Sequence, residues 1–159
     1  MEWLLQIWNC PETQMPYRGK FDPAQPPSAE AMEAAAGTLK VGLRLHWLKQ
    51  WNVKTGLSES EFSAIKQTLR DGWPVCAGFR WPKHEVWQEN VLQMSAAEDV
   101  FDGHSVLLVG YRDDETQPGG GLFIFRNSSR NGHDGFMPFA YARTNMNDAV
   151  WIDVPVLHP

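Results

Sequence analysis

The stretch Asp102-Gly103-His104-Ser105-Val106-Leu107-Leu108-Val109-Gly110-Tyr111 decides how this chain is read. Val106 to Tyr111 is an apolar run bounded by turn residues, the pattern of a buried strand, and it places His104 at the strand's entry, where a scaffold can hold an imidazole rigidly. Downstream, Gly119-Gly120-Gly121 precedes Leu122-Phe123-Ile124-Phe125-Arg126, a second strand that ends in Asn127. A histidine and an asparagine at the ends of neighbouring strands have the chemistry of a base and the amide that orients it.

Working outward, Val75–Phe79 and Phe136–Tyr141 also read as strands, so the C-terminal half is mostly sheet. Upstream, Ser58 and Glu61 form a capping box, Phe62, Ile65 and Leu69 share one helical face, and Gly72 followed by Trp73-Pro74 closes that helix. Leu39, Val41, Leu43, Leu45 and Trp47 alternate with polar residues and predict a half-buried strand. Ser28 is placed to cap a helix over Ala29–Ala36, with Gly37 to stop it. Trp3, Leu4, Ile7 and Trp8 predict a short amphipathic helix over Glu2–Asn9, and five prolines between Pro11 and Pro27 predict an extended connecting segment. The expected architecture is α+β: an antiparallel, barrel-like sheet with a few helices, in one domain over 1–159. Within it, 1–27 forms the helix and proline-rich connection, and 28–159 forms a helix plus the sheet core.

The order and spacing of Gly-His-Ser-Val-Leu-Leu-Val-Gly-Tyr (103–111) and Gly-Gly-Gly-Leu-Phe-Ile-Phe-Arg-Asn-Ser (119–128) resemble the histidine and asparagine motifs of papain-like cysteine peptidases. Three further segments fit the same order. Cys10-Pro11-Glu12 with Met15-Pro16-Tyr17 looks like the lead into the second domain of bacterial members. Gly72 to Phe79 is similar to their glycine-proline-valine strand, and Gly135 to Tyr141 is similar to their final glycine-tyrosine strand. The resemblance runs from about Cys10 to Ile152 and corresponds to the C-terminal, histidine-bearing half of the family's two-domain enzymes.

The resemblance implies a thiol hydrolase that breaks peptide or ester bonds by acyl transfer, with His104 as base and Asn127 as its orienter. The family's glutamine and its serine-cysteine-tryptophan helix start have no counterpart here, so the nucleophile is missing or non-standard. Where the family has a tryptophan two residues beyond the asparagine, this chain has Ser129. Cys10, four residues after Gln6, is the nucleophile candidate that the sequence offers; Cys76 reads as a buried, inert strand thiol, and Ser105 points to the other side of its strand from His104. The alternatives are a non-catalytic papain-like binding or regulatory module, and a truncated fragment of a longer frame.

Composition limits the rest. With 159 residues, 43% of them hydrophobic, the chain can bury one core. A net charge of -5 without a basic run argues against a nucleic-acid partner. No apolar run reaches the roughly 18 residues a membrane span needs, and no signal peptide is recognised, so a soluble and cytoplasmic protein is expected. The two cysteines and the scattered histidines His84, His133 and His158 follow no metal-ligand spacing, and no cofactor is expected. The expected partners are a peptide or small ester substrate and a second copy or another chain covering the missing helical half. Apolar surface is expected around His104, Trp81 and Trp87, while Trp47, Trp51 and Trp73 could join them in stacking on a ligand.

Overall fold

In a computed structural model, residues 11, 13–16, 26–39, 44–128 and 134–153 are described. They belong to two compact units, one formed by Met1–Arg44 with Asp153–Pro159 and one by Leu45–Ile152. The expected helix over 2–9 and most of the proline-rich segment lie outside the described residues, as does Cys10.

In the first unit, helix α1 (Ala29–Leu39) begins where expected. The backbone N–H of Ala31 donates to the Ser28 hydroxyl at 3.2 Å, which satisfies one of the helix's orphan donors. It runs past Gly37 to Leu39, so Leu39 is helical and does not open a strand. Glycine weakens a helix interior by about 1 kcal/mol, too little to end one alone.

The second unit is a sheet with helices laid on it. Strand β1 (Arg44–Lys49) is followed by helix α2 (Glu59–Arg70), β2 (Val75–Pro82), a hairpin of β3 (Trp87–Gln88) and β4 (Val91–Leu92), and a 3-10 turn (Ala97–Asp99). Then come β5 (Val100–Asp113), β6 (Gly121–Arg126), β7 (Asp134–Pro138), helix α3 (Phe139–Asn145) and β8 (Met146–Asp153). The strand order β1-β8-β2-β5-β6-β7-β4-β3 leaves β1 and β3 as edges, so the sheet is open and not a closed barrel. The registered pairs are antiparallel except β4 with β7. The described residues therefore form an α+β architecture with three α-helices and an eight-stranded, mostly antiparallel sheet.

Local chemistry explains α2. The Glu61 backbone donates to the Ser58 hydroxyl, and the Ser58 backbone donates to Glu61 Oε2 at 2.7 Å, closing the capping box. At the other end Gly72 takes φ +87°, and the N–H groups of Gly72 and Trp73 reach back to the carbonyls of Leu69 and Thr68. This is the glycine-dependent Schellman closure. Phe62, Ile65 and Leu69 form the buried face of α2 and join the core. Phe62 meets Phe123 of β6 edge-on at 5.7 Å and Phe139 of α3 at 5.0 Å.

Two sequence expectations fail at the ends of elements. Strand β5 extends back to Val100, so His104 sits inside the strand instead of at its entry. Phe139–Tyr141 continue no strand; Pro138 ends β7 and caps α3, whose buried Phe139, Tyr141 and Ala142 fill the core at helical spacing. β5 also carries an extra residue against β6. Leu108 pairs with Phe125 and Gly110 pairs with Ile124, leaving Val109 as a bulge.

Candidate active site

The face on which each side chain lies follows from strand parity. On β2, Val75, Ala77, Phe79 and Trp81 are buried, and the antiparallel register sets Ala77 opposite Val106, Phe79 opposite His104 and Trp81 opposite Asp102. His104 therefore shares the core face of the sheet. On β6, Phe125 is fully buried on that same face, and Asn127 follows it by two residues, just past the strand's end. Both members of the expected pair are thus delivered to one side by the pleat alone.

They meet there. Nε2 of His104 lies 2.9 Å from Oδ1 of Asn127, and both side chains are half-buried. An amide oxygen can only accept, so the bond requires the proton on Nε2 and leaves the lone pair of the neutral ring on Nδ1. The amide selects one tautomer and thereby defines which nitrogen can take a proton from a neighbour.

Trp81 forms the wall behind the imidazole. Its ring stands 4.7 Å from that of His104 with 62° between planes, and it is also edge-on to Phe79, Phe125 and Tyr141. Trp81 itself is only 4% exposed because the cluster consumes its surface, while Trp87 of the same expected patch and its neighbour Val86 are exposed. Its indole N–H, which a buried site must satisfy, donates to Glu85 Oε1 at 2.8 Å. Trp81 was expected near His104 as exposed surface and is instead its buried neighbour, whereas Glu85 carries no motif that would single it out in the sequence.

The other singled-out residues lie elsewhere. Cys76 is half-buried and belongs to the opposite parity of β2 from Phe79 and Trp81, so it faces away from His104. Burial first, and the Asp148 carboxylate second, hold its thiol above the ordinary pKa, which keeps it protonated and unreactive. Ser105 is exposed on that opposite face, beside Gly78. Trp73 tilts against Trp151 at 4.9 Å, and Trp151 stacks on His46 at 4.0 Å, forming a second aromatic group beside the start of β2. Trp51 is exposed, Trp47 half-buried, and Trp87 is 39% exposed on β3 with its ring 6.1 Å from Phe125. Ser129 and His133 lie outside the described residues.

Among the described residues no group of three His, Cys, Asp or Glu side chains could hold a metal ion. No described helix is long and apolar enough to cross a membrane. No protein-family model matches the chain, and no curated protein matches it.

Proposed function

We propose that this chain is a papain-like thiol hydrolase acting on peptide or ester bonds by acyl transfer, with His104 as base and Asn127 as its orienter. The observation that carries the reading is the 2.9 Å approach of Asn127 Oδ1 to His104 Nε2, which leaves Nδ1 as the proton acceptor. In that role Nδ1 takes the proton of a thiol, and the resulting imidazolium stabilises the thiolate. The thiolate attacks the substrate carbonyl, the imidazolium returns the proton to the leaving amine or alcohol, and water then releases the acid from the acyl-enzyme with the imidazole again as base. Asn127 keeps the ring aligned through both transfers. The helix-supported, mostly antiparallel sheet that presents the pair is compatible with the sheet half of such an enzyme.

Cys10 is our candidate for the nucleophile. A second reading, a binding or regulatory module of the same ancestry, draws on Cys76, the cysteine among the described residues, facing away from the imidazole. In either case exposed Val86, Trp87 and Met94 around the β3–β4 hairpin favour association with a second copy or another chain.

Iodoacetamide labelling at about pH 6 separates the two readings, because an ordinary thiol of pKa about 8.5 is almost wholly protonated there. A working pair gives fast labelling of Cys10 that His104→Ala slows to the free-thiol rate, with p-nitrophenyl acetate hydrolysis lost in both His104→Ala and Cys10→Ala. Labelling of Cys10 at the free-thiol rate in the wild type refutes its role as nucleophile and leaves the module reading.

A further inference from the structure

Glu85 lies in the segment between β2 and β3, and its carboxylate is shared by two indoles. Oε1 accepts from Trp81 Nε1 and Oε2 accepts from Trp87 Nε1, each at 2.8 Å. The first ring packs on the imidazole of His104; the second stands beside Phe125, the residue two before Asn127. One anion thus ties the indole beside His104 to a second indole beside Phe125.

A single hydrogen bond from Nε2 sets one direction for the imidazole and leaves the ring free to turn about that line. A ring set edge-on against the imidazole, as Trp81 is at 4.7 Å and 62°, blocks that turn, provided the neighbour is itself held. Trp81 is held by packing against Phe79, Phe125 and Tyr141, and its one polar atom is held by Glu85. Only a carboxylate can do this for two N–H donors at once, because an amide in its place offers one acceptor and turns its own N–H group toward the second indole. The charge of Glu85 also reaches into the cluster. Burial chiefly holds the Tyr141 hydroxyl well above its ordinary pKa, Arg80 opposes this, and the Glu85 carboxylate adds to it.

We propose that Glu85 is a positioning residue for His104, clamping Trp81 and Trp87 so that the Trp81 ring fixes the plane of the imidazole that Asn127 orients. Its relevance to catalysis rests on the function proposed above; the positioning itself does not.

The test is the solvent exchange of the His104 Nε2 proton, followed by NMR in the full chain at about pH 8, with Asn127→Ala as the control that abolishes its hydrogen bond. Glu85→Ala is expected to speed this exchange about tenfold, the scale of one lost charge-assisted hydrogen bond, and Glu85→Gln by a smaller factor. Trp87→Phe leaves Glu85 on Trp81 and keeps the exchange near wild type. The proposal is overturned if the Trp81 indole proton exchanges faster in Glu85→Ala while the His104 proton keeps its wild-type rate. If Glu85→Ala does not fold, the same comparison in Glu85→Gln decides. Slow labelling of Cys10 would sink its role in the hydrolase and leave these exchange rates untouched, so the two failures are distinguishable.

Discussion

Phe79 and His104 face each other across the β2–β5 ladder, the phenyl ring fully buried and the imidazole half-buried. The imidazole therefore stands on the rim of the core, with its backbone inside the sheet and one ring contact inside the aromatic cluster. Phe79→Ala is expected to cost about 3–5 kcal/mol of stability from the lost burial and the cavity left behind. Urea unfolding measures it; a loss below about 1 kcal/mol would show that the cluster collapses to fill the gap.

Asn127→Ala leaves the Nε2 proton of a half-buried imidazole without its acceptor. The expected loss is about 1 kcal/mol of stability, together with a mixture of imidazole tautomers where the wild type shows one. Long-range nitrogen–proton NMR reads the tautomer directly. Wild-type ring shifts in the variant would mean that packing alone selects the tautomer.

Lys49 is a lysine buried to 3% side-chain exposure, 3.9 Å from Glu61 Oε1 and 3.4 Å from the Thr55 hydroxyl. The other oxygen of Glu61 closes the capping box on Ser58. Glu61→Ala removes both and leaves the buried ammonium without its carboxylate, so it should destabilise by about 2 kcal/mol or more. Lys49→Met removes the charge instead of orphaning it and should stay within about 1 kcal/mol of wild type. Equal losses in the two variants would contradict this assignment.

Two glycines separate backbone strain from crowding. Gly72 and Gly119 both adopt positive φ, +87° and +85°, but a Cβ at Gly72 meets nothing, whereas one at Gly119 runs into the backbone of Ala140. Gly72→Ala should cost about 1 kcal/mol, the left-handed penalty alone. Gly119→Ala should cost about 2–4 kcal/mol, because α3 must shift as well. Thermal melts of the two variants rank them.

The Cys76 thiol has its folded pKa raised, first by burial and then by Asp148. The unfolded chain therefore gives up this proton at a lower pH than the folded one. The contribution to stability is complete below the unfolded value of about 8.5 and is lost as pH rises from there through the folded value. Denaturant midpoints should fall over that alkaline window, and Cys76→Ser should flatten the fall. Asp148→Asn should make Cys76 alkylate faster at fixed alkaline pH.

The parts of the fold that were legible depend on neighbours in sequence. The capping box of α2 and its glycine closure are completed within a few residues, so Ser58, Glu61 and Gly72 announce them. His104 and Asn127 were legible because the motifs around them set each beside an apolar strand, even though β5 begins six residues before its apolar run at Val106. α3 was misread because Phe139 and Tyr141 are buried at a spacing that suits strand as well as helix, and only packing against β2, β6 and β7 decides. β8 went unread because Asn145, Asn147 and Asp148 look like turn residues; in the fold Asn145 and Asn147 are buried and Asp148 accepts from the Gly78 backbone. The Glu85 clamp was invisible because it joins residues whose only connection is the return of the chain from β2 into the hairpin.

The extra residue at Val109 makes the sidedness of β5 a matter of counting. Before it the even positions 104, 106 and 108 face the core, and after it Tyr111, an odd one, packs there opposite Phe123. The bulge thus works as a phase shifter within the β5–β6 ladder, so that the core-facing positions of one continuous strand change from even to odd. A chain that lost Val109 could keep its aromatic packing around Tyr111 only by turning His104 toward solvent. The position of the imidazole is thereby written partly in a residue further along the strand.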